Sequence, residues 1–355
     1  MHRPTDTDST LLAPPSLSGM ATDTWGSPAY DAKIALIRDH LGKARRVFSI
    51  AHPYSDGDAL GSQLALHHWC RAAGKECVTL NFDPIPPQIS WLTGSEALTD
   101  TLPDREFDLG FLMETTEASR MGDRTRFFRR AKRCIHLDHH LDVPGLGELN
   151  LIDPTASSTC EILYNIFCGM DIPLNDDIMS ALYIGIMTDT GNFRFPSTTP
   201  RAHEIAATMI SRGLKVAPIF KRVYETNDWR RVVLHGISME RATRHFNGQL
   251  ITSWLTLDDF SRLGATEIDA DGSIAPLTTI AGAEVIVMFR ELDPTTIKVS
   301  FRSTGRIDVQ AICKTFGGGG HKLAAGANFQ HTHMQTVIDD VISAIGPALA
   351  ALRTP

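Results

Sequence analysis

The chain has 355 residues, 43% apolar and 21% charged, enough for two domains of ordinary size with real cores. Its 34 basic side chains against 41 acidic ones leave a net charge of −7, which argues against a general binder of long nucleic acid. No apolar run is long enough to span a bilayer and no signal-peptide core opens the chain; the six cysteines (Cys70, Cys77, Cys134, Cys160, Cys168, Cys313) form no Cys-x-x-Cys pair, so reduced thiols, a cytoplasmic location and no membrane partner are expected.

Residues 1–27, rich in Ser, Thr, Pro and Asp, read as a disordered tail. An amphipathic helix over Tyr30–Leu41 then feeds an alternating region. Val47–Ile50, Cys77–Leu80, Leu109–Met113 and Cys134–Leu137 read as strands. Helices are expected at Leu64–Ala73, at about 123–131, from the Ser158 cap through Phe167, over Asp177–Met187, and from Pro200 to Arg212 before Gly213. The alternation predicts an α/β domain over 28–213, a parallel sheet with helices on both faces. A charged helical connector follows over 214–245, with Arg222, Arg230, Arg231 and Arg241. Residues 246–355 read as a smaller α/β domain. Leu250–Trp254 is a strand, and 284–289 and Ile297–Phe301 form a pair across Asp293-Pro294. Asp308 caps a short helix reaching Lys314, a glycine run leads to a strand near Ala327–Phe329, and a last helix ends near Leu352.

Chemistry concentrates where apolar segments end. His52, Asp56 and Asp58 follow the first strand within seven residues, on a turn into a helix. A helix cap would account for one of these carboxylates, but not for the other or for the histidine. Glu114 follows the strand Leu109–Met113; Asp138-His139-His140 ends the strand Cys134–Leu137; Thr188-Asp189-Thr190-Gly191 ends the apolar stretch Ala181–Met187. In a parallel sheet such ends share one edge, so His52, Asp56, Asp58, Glu114, His139 and Asp189 are expected to converge. Four carboxylates and two imidazoles exceed the needs of one zinc and suit two divalent ions sharing a bridging carboxylate. Oxygen and nitrogen donors without thiolate favour manganese, with magnesium or cobalt as alternatives. Such a pair binds and acidifies a water and clamps phosphoryl oxygens.

The succession His-x-x-x-Asp-Gly-Asp, an acidic residue after the next motif strand, Asp-His-His and Thr-Asp-Thr-Gly resembles the DHH phosphoesterase superfamily. Gly317 to Gly326, reading Gly-Gly-Gly-Gly-His-Lys-Leu-Ala-Ala-Gly, resembles its DHH-associated C-terminal domain. Order and length are most similar to the oligoribonuclease/pAp phosphatase (nanoRNase) branch. The resemblance implies a first ion held by His52, Asp56 and Glu114 and a second by Asp58, Glu114, His139 and Asp189, with Glu114 bridging. It puts His140 beside the scissile phosphate, Asp138 behind a neighbouring histidine, and Arg120 near the site. It gives substrate phosphate to Arg302, Ser303, Gly318, Gly319, Gly320 and His321. The implied substrates are short oligoribonucleotides or 3′-phosphoadenosine 5′-phosphate, held across an inter-domain cleft, and a homodimer is compatible with it. Rival readings are a cyclic or linear dinucleotide phosphodiesterase, a RecJ-like single-strand exonuclease, a pyrophosphatase, and a silent nucleotide sensor. Two departures stand out: members usually carry Asp where Glu114 stands, and Pro where Ser55 stands.

Overall fold

The computed structural model describes residues 24–115, 121–141 and 143–352. The chain divides into two compact units after Thr226. In the first, Ser27 caps α1 (Pro28–Lys43), whose Tyr30, Ile34, Ile37 and Leu41 fall on one buried face at helical spacing. Trp25 packs edge-on against Tyr30, so residues 24–27 of the expected tail belong to this unit; residues 1–23 lie outside the described chain.

Six strands follow: β1 (Arg46–Ala51), β2 (Glu76–Leu80), β3 (Leu98–Thr99), β4 (Phe107–Met113), β5 (Ala131–Asp138) and β6 (Leu149–Ile152). They pair in the order β3-β2-β1-β4-β5-β6, every pair parallel. Central β1 and β4 are almost wholly buried, as befits strands covered on both faces. One face carries α1, α2 (Gly57–Ala72), α3 (Thr159–Phe167), α4 (Asp176–Asp189) and α5 (Pro200–Ser211), packed around Trp69, which stacks on Phe167. The other face, built on Phe48, Ile50, Phe107 and Leu112, is covered by Met121, Phe127 and Phe128.

The expected α-helix near 123–131 is a 3₁₀ helix, Gly122–Arg130, and Ala131 already opens β5. Phe127 and Phe128 are adjacent, so the segment has no i, i+3, i+4 stripe to bury as an α-helix. Chain order reverses between β1 and β4. That switch point leaves a crevice at the strands' C-terminal ends, where open α/β sheets bind ligands.

The stretch 214–245 is divided between the units. α6 (Val216–Tyr224) places Ile219 and Val223 in the first core, whereas α7 (Trp229–Glu240) places Leu234 in the second unit. There β7 (Thr243–His245), β8 (Leu250–Leu255), β9 (Val285–Asp293), β10 (Thr296–Ser303), β11 (Gly319–His321) and β12 (Ala324–Gln330) form a sheet in the order β11-β12-β10-β9-β8-β7. Only β8 and β9 pair in parallel among these. α8 (Leu257–Leu263) and α7 lie in one core; α9 (Val309–Lys314) and α10 (Met334–Ala351) lie in another. No helix among the described residues is long and apolar enough to cross a membrane.

Candidate metal centre

Register places the first ligands side by side. Ala51 pairs with Met113 and Met113 with Leu137, so His52, Glu114 and His139 emerge at neighbouring strand ends. The Nδ1 of His52 bonds the Pro53 carbonyl at 2.8 Å; with that nitrogen as the donor, Nε2 is left as a bare acceptor. This Nε2 stands 3.8 Å from Glu114 Oε2 and 4.0 Å from Asp56 Oδ2. Asp56 does cap α2, accepting from the Asp58 and Ala59 N–H groups through Oδ1. Its second oxygen faces His52, so cap and ligand are compatible roles.

Glu114 is buried and left-handed, with φ +52°. Its Oε1 stands 3.2 Å from His139 Nε2, which is 3.0 Å from Asp189 Oδ2. Neither His139 Nε2 nor Glu114 Oε2 has a hydrogen-bond partner among the described residues, although both are buried. Orphaned donor and acceptor atoms converging this closely fit a bound cation, which would satisfy them all. Three groups of candidate ligand atoms, each within 4.8 Å of one another, meet here: His52, Asp56 and Glu114; Asp58, Glu114, His139 and Asp189; and Glu114, His139 and His140. Glu114 belongs to all three. Carboxylate and imidazole without thiolate is a donor set for manganese, magnesium or a similar ion.

The electrostatics without a cation are adverse. Burial, then the charge of Asp189, pushes the Asp58 carboxyl up; burial and the charge of Asp58 push Glu114 well up. Burial lowers His139, but the Asp189 and Glu114 carboxylates outweigh it and carry its pKa up to about 12. Asp58 is held by the backbone: Oδ2 accepts from Thr159 N at 2.6 Å and Oδ1 from Cys160 N at 2.9 Å, the first N–H groups of α3.

The fourth candidate ligand segment does not follow a strand. Asp189 is the last residue of α4 and reaches the site because glycines on both helices let α2 and α4 approach closely. A Cβ on Gly185 would overlap Cys160 Sγ and stand 2.5 Å from Asp58 Oδ1. A Cβ on Gly57 would meet Thr188, and one on Gly61 would lie 2.6 Å from the Ala181 carbonyl.

Behind these ligands, Asp138 Oδ1 accepts from the His140 N–H and bonds His140 Nδ1, each at 2.8 Å. Burial raises the Asp138 carboxyl, but the neighbouring His136 and His140 outweigh it and hold it below the usual range. His136, buried on β5 with Nε2 3.5 Å from Asp138, was not singled out by the sequence. Its signal was its place two residues before Asp138, on the same face of a strand. Arg120 lies outside the described residues.

In the second unit, Arg302 and Ser303 end β10. Arg302 is half-buried, burial pulls its pKa down, and its guanidinium bonds only the Phe301 carbonyl among the described residues. The Ser303 hydroxyl is committed to its own turn, donating to Ile307 O and accepting from Gly305 N. Gly319, Gly320 and His321 are not a free loop but the edge strand β11, bonded to β12 on one side; Gly318 precedes it. Gly320 has φ +138°, and a Cβ there would stand 2.6 Å from Ala325 Cα.

Residues 46–186 match the family model for the DHH family, N-terminal domain, and residues 247–347 match the DHHA1 domain. With carboxylates and imidazoles gathered at a switch point, these matches define a metal-dependent phosphoesterase. The chain belongs to the DHH family, in the form that carries a DHHA1 domain. It is 31% identical to a bifunctional oligoribonuclease and PAP phosphatase NrnA from Thermus thermophilus, over 90% of this chain and 95% of that one. It is 28% identical to the Bacillus subtilis protein of the same name, over 78% of this chain and 87% of that one. A crystal structure of an exopolyphosphatase-related protein from Bacteroides fragilis superposes with a TM-score of 0.81 at 24% identity, covering 90% of this chain and 98% of that one, and so shares the fold.

Proposed function

We propose that the chain hydrolyses short oligoribonucleotides to nucleoside 5′-monophosphates and removes the 3′-phosphate of 3′-phosphoadenosine 5′-phosphate, with two divalent ions, manganese foremost. The observation that carries this reading is that Glu114 joins the group of His52 and Asp56 to the group of Asp58, His139 and Asp189. His52, Asp56 and Glu114 hold one ion; Asp58, Glu114, His139 and Asp189 hold the other. Bound there, the pair supplies an acidified water and neutralises charge on the phosphoryl oxygens. His140, its Nδ1 tied to Asp138, offers Nε2 to the scissile phosphate and stabilises the charge that develops on it. Arg302 and the β11 edge at Gly319–His321 receive a substrate phosphate through a guanidinium, an imidazole and the backbone, while the Gly318 N–H, which donates to the Cys313 carbonyl at 3.0 Å, holds the turn into that edge. The similarity to oligoribonuclease and PAP phosphatase relatives along nearly their whole length supports this substrate class.

The test is hydrolysis by metal-stripped protein resupplied with manganese. Substrates are 3′-phosphoadenosine 5′-phosphate, RNA two-mers to five-mers, a cyclic dinucleotide, long single-stranded DNA and pyrophosphate. Turnover concentrated on the first two is expected. A preference for any other sinks the substrate assignment, and silence on all of them sinks the enzymatic reading.

A further inference from the structure

We infer that Tyr54 is a stacking platform for the nucleobase beside the scissile phosphate, held outward by a brace built on Asp83; this rests on the nucleotide-phosphoester reading above.

Tyr54 lies midway through the His52–Asp56 ligand loop and is 80% exposed. Its φ is +56°, a left-handed conformation that bulky L residues avoid. Both facts burden the folded chain, and the ring contributes nothing to the core in return. Yet the conformation is actively maintained. The Tyr54 N–H donates to Asp83 Oδ2 at 3.1 Å, and Asp83 is paired with Arg124 at 3.3 Å. The Arg124 guanidinium lies 4.6 Å from the Phe82 ring centroid, and Phe82 stacks on Phe127. Asn81 fixes the same turn by donating to the Asp83 carbonyl at 2.6 Å. Strain with a dedicated support, next to a metal ligand, marks a residue kept for binding.

The other ligand loops show the same bias. Leu141, directly after His140, is 76% exposed, and Phe195, just past the Asp189 turn, is 50% exposed. β1 and β5 flank β4, so their loops lie about 10 Å apart at the usual strand spacing. An apolar rim around a cluster of carboxylates and imidazoles suits a ligand with a phosphate at one end and a flat apolar ring at the other. A nucleobase meets that description whatever its identity, because every base has a π-face. Pyrophosphate has no part that could use the rim.

The experiment uses the full chain loaded with manganese. It compares kcat/KM for an RNA dinucleotide with that for the analogue lacking the base beside the scissile phosphate. For Tyr54→Ala we expect the advantage of the dinucleotide to shrink about fivefold to thirtyfold, within the range of base–aromatic stacking. Tyr54→Phe should keep the advantage. Tyr54→Gly should lose it while raising Tm, because glycine relieves the left-handed strain. An unchanged advantage in Tyr54→Ala overturns the inference. So does a lower Tm in Tyr54→Gly, which would assign the ring to the fold, or an altered oligomeric state in Tyr54→Ala, which would assign it to a second copy of the chain. Should the wild-type chain cleave neither substrate, the phosphoesterase reading fails separately. Calorimetric binding of adenosine monophosphate then decides for Tyr54, with equal affinity in wild type and Tyr54→Ala counting against it.

Discussion

The carboxylate of Glu114 lies between two imidazoles, 3.2 Å from His139 and 3.8 Å from His52, in a pocket where burial and the charge of Asp58 oppose its ionisation. The same group that a pair of cations would prize is therefore a liability without them. Glu114→Gln separates the two effects, since the amide keeps the shape and drops the charge. We expect its metal affinity to fall by more than ~100-fold, beyond the loss typical of residues that only support a ligand. Turnover should fall in step. The metal-free variant should nonetheless melt no lower than the metal-free wild type, because a repelled buried carboxylate has been removed. Isothermal titration with manganese and paired thermal melts check both halves. A variant that melts well below wild type in the absence of metal would mean that the charge of Glu114 serves the fold.

At the scale of elements, the closeness of α2 and α4 decides whether Asp58 and Asp189 can share a cation. Gly185→Ala puts a methyl group against Cys160 and Asp58, so the helices must separate. The overpacking costs about 1–3 kcal/mol, more than the ~1 kcal/mol a helical glycine-to-alanine change returns. Denaturant titration should show net destabilisation, and metal titration a weaker site. Gly42→Ala, near the end of α1 where a Cβ meets nothing within 4 Å, is the control and should be neutral or stabilising. This geometry explains what the sequence could and could not reveal. The strands β1, β4 and β5 were legible because their largely apolar runs stop abruptly at His52, Glu114 and Asp138. The two-residue β3 and four-residue β6 are too short to show a pattern, and the alternation of 3₁₀ and strand around Arg130 has no periodicity to read. The candidate ligands carried side-chain signatures, whereas their supports did not. Asp58 is anchored by backbone N–H groups 101 and 102 residues away, and Tyr54 by a carboxylate 29 residues away. Likewise a Gly-Gly-Gly-Gly run reads as a loop, and only the close approach of β12 makes part of it a strand.

For the whole molecule, the cluster ties stability to pH and to metal together. Asp58 and Glu114 have raised carboxyl pKa values in the folded chain, so the folded state binds more protons than the unfolded state. Their contribution is complete below the ordinary carboxylate range and is lost as pH rises through the raised values. His139 slopes the same way: its contribution is complete below its ordinary 6.5 and is lost as pH climbs towards about 12. Asp138 slopes oppositely, contributing above the usual carboxylate range and losing that contribution only on acidification. From about pH 6.5 to about pH 9, therefore, the metal-free protein should weaken steadily. A divalent ion reverses the balance. It takes deprotonated imidazole and carboxylates, releases their protons on binding, and so binds more tightly as pH rises. At a free concentration 100 times Kd it adds about 2.7 kcal/mol of stability. Thermal melts across this pH range, with manganese and with a chelator, should show two curves that diverge as pH increases. Curves that stay parallel or draw together would mean that these ionised side chains are not what the cation binds.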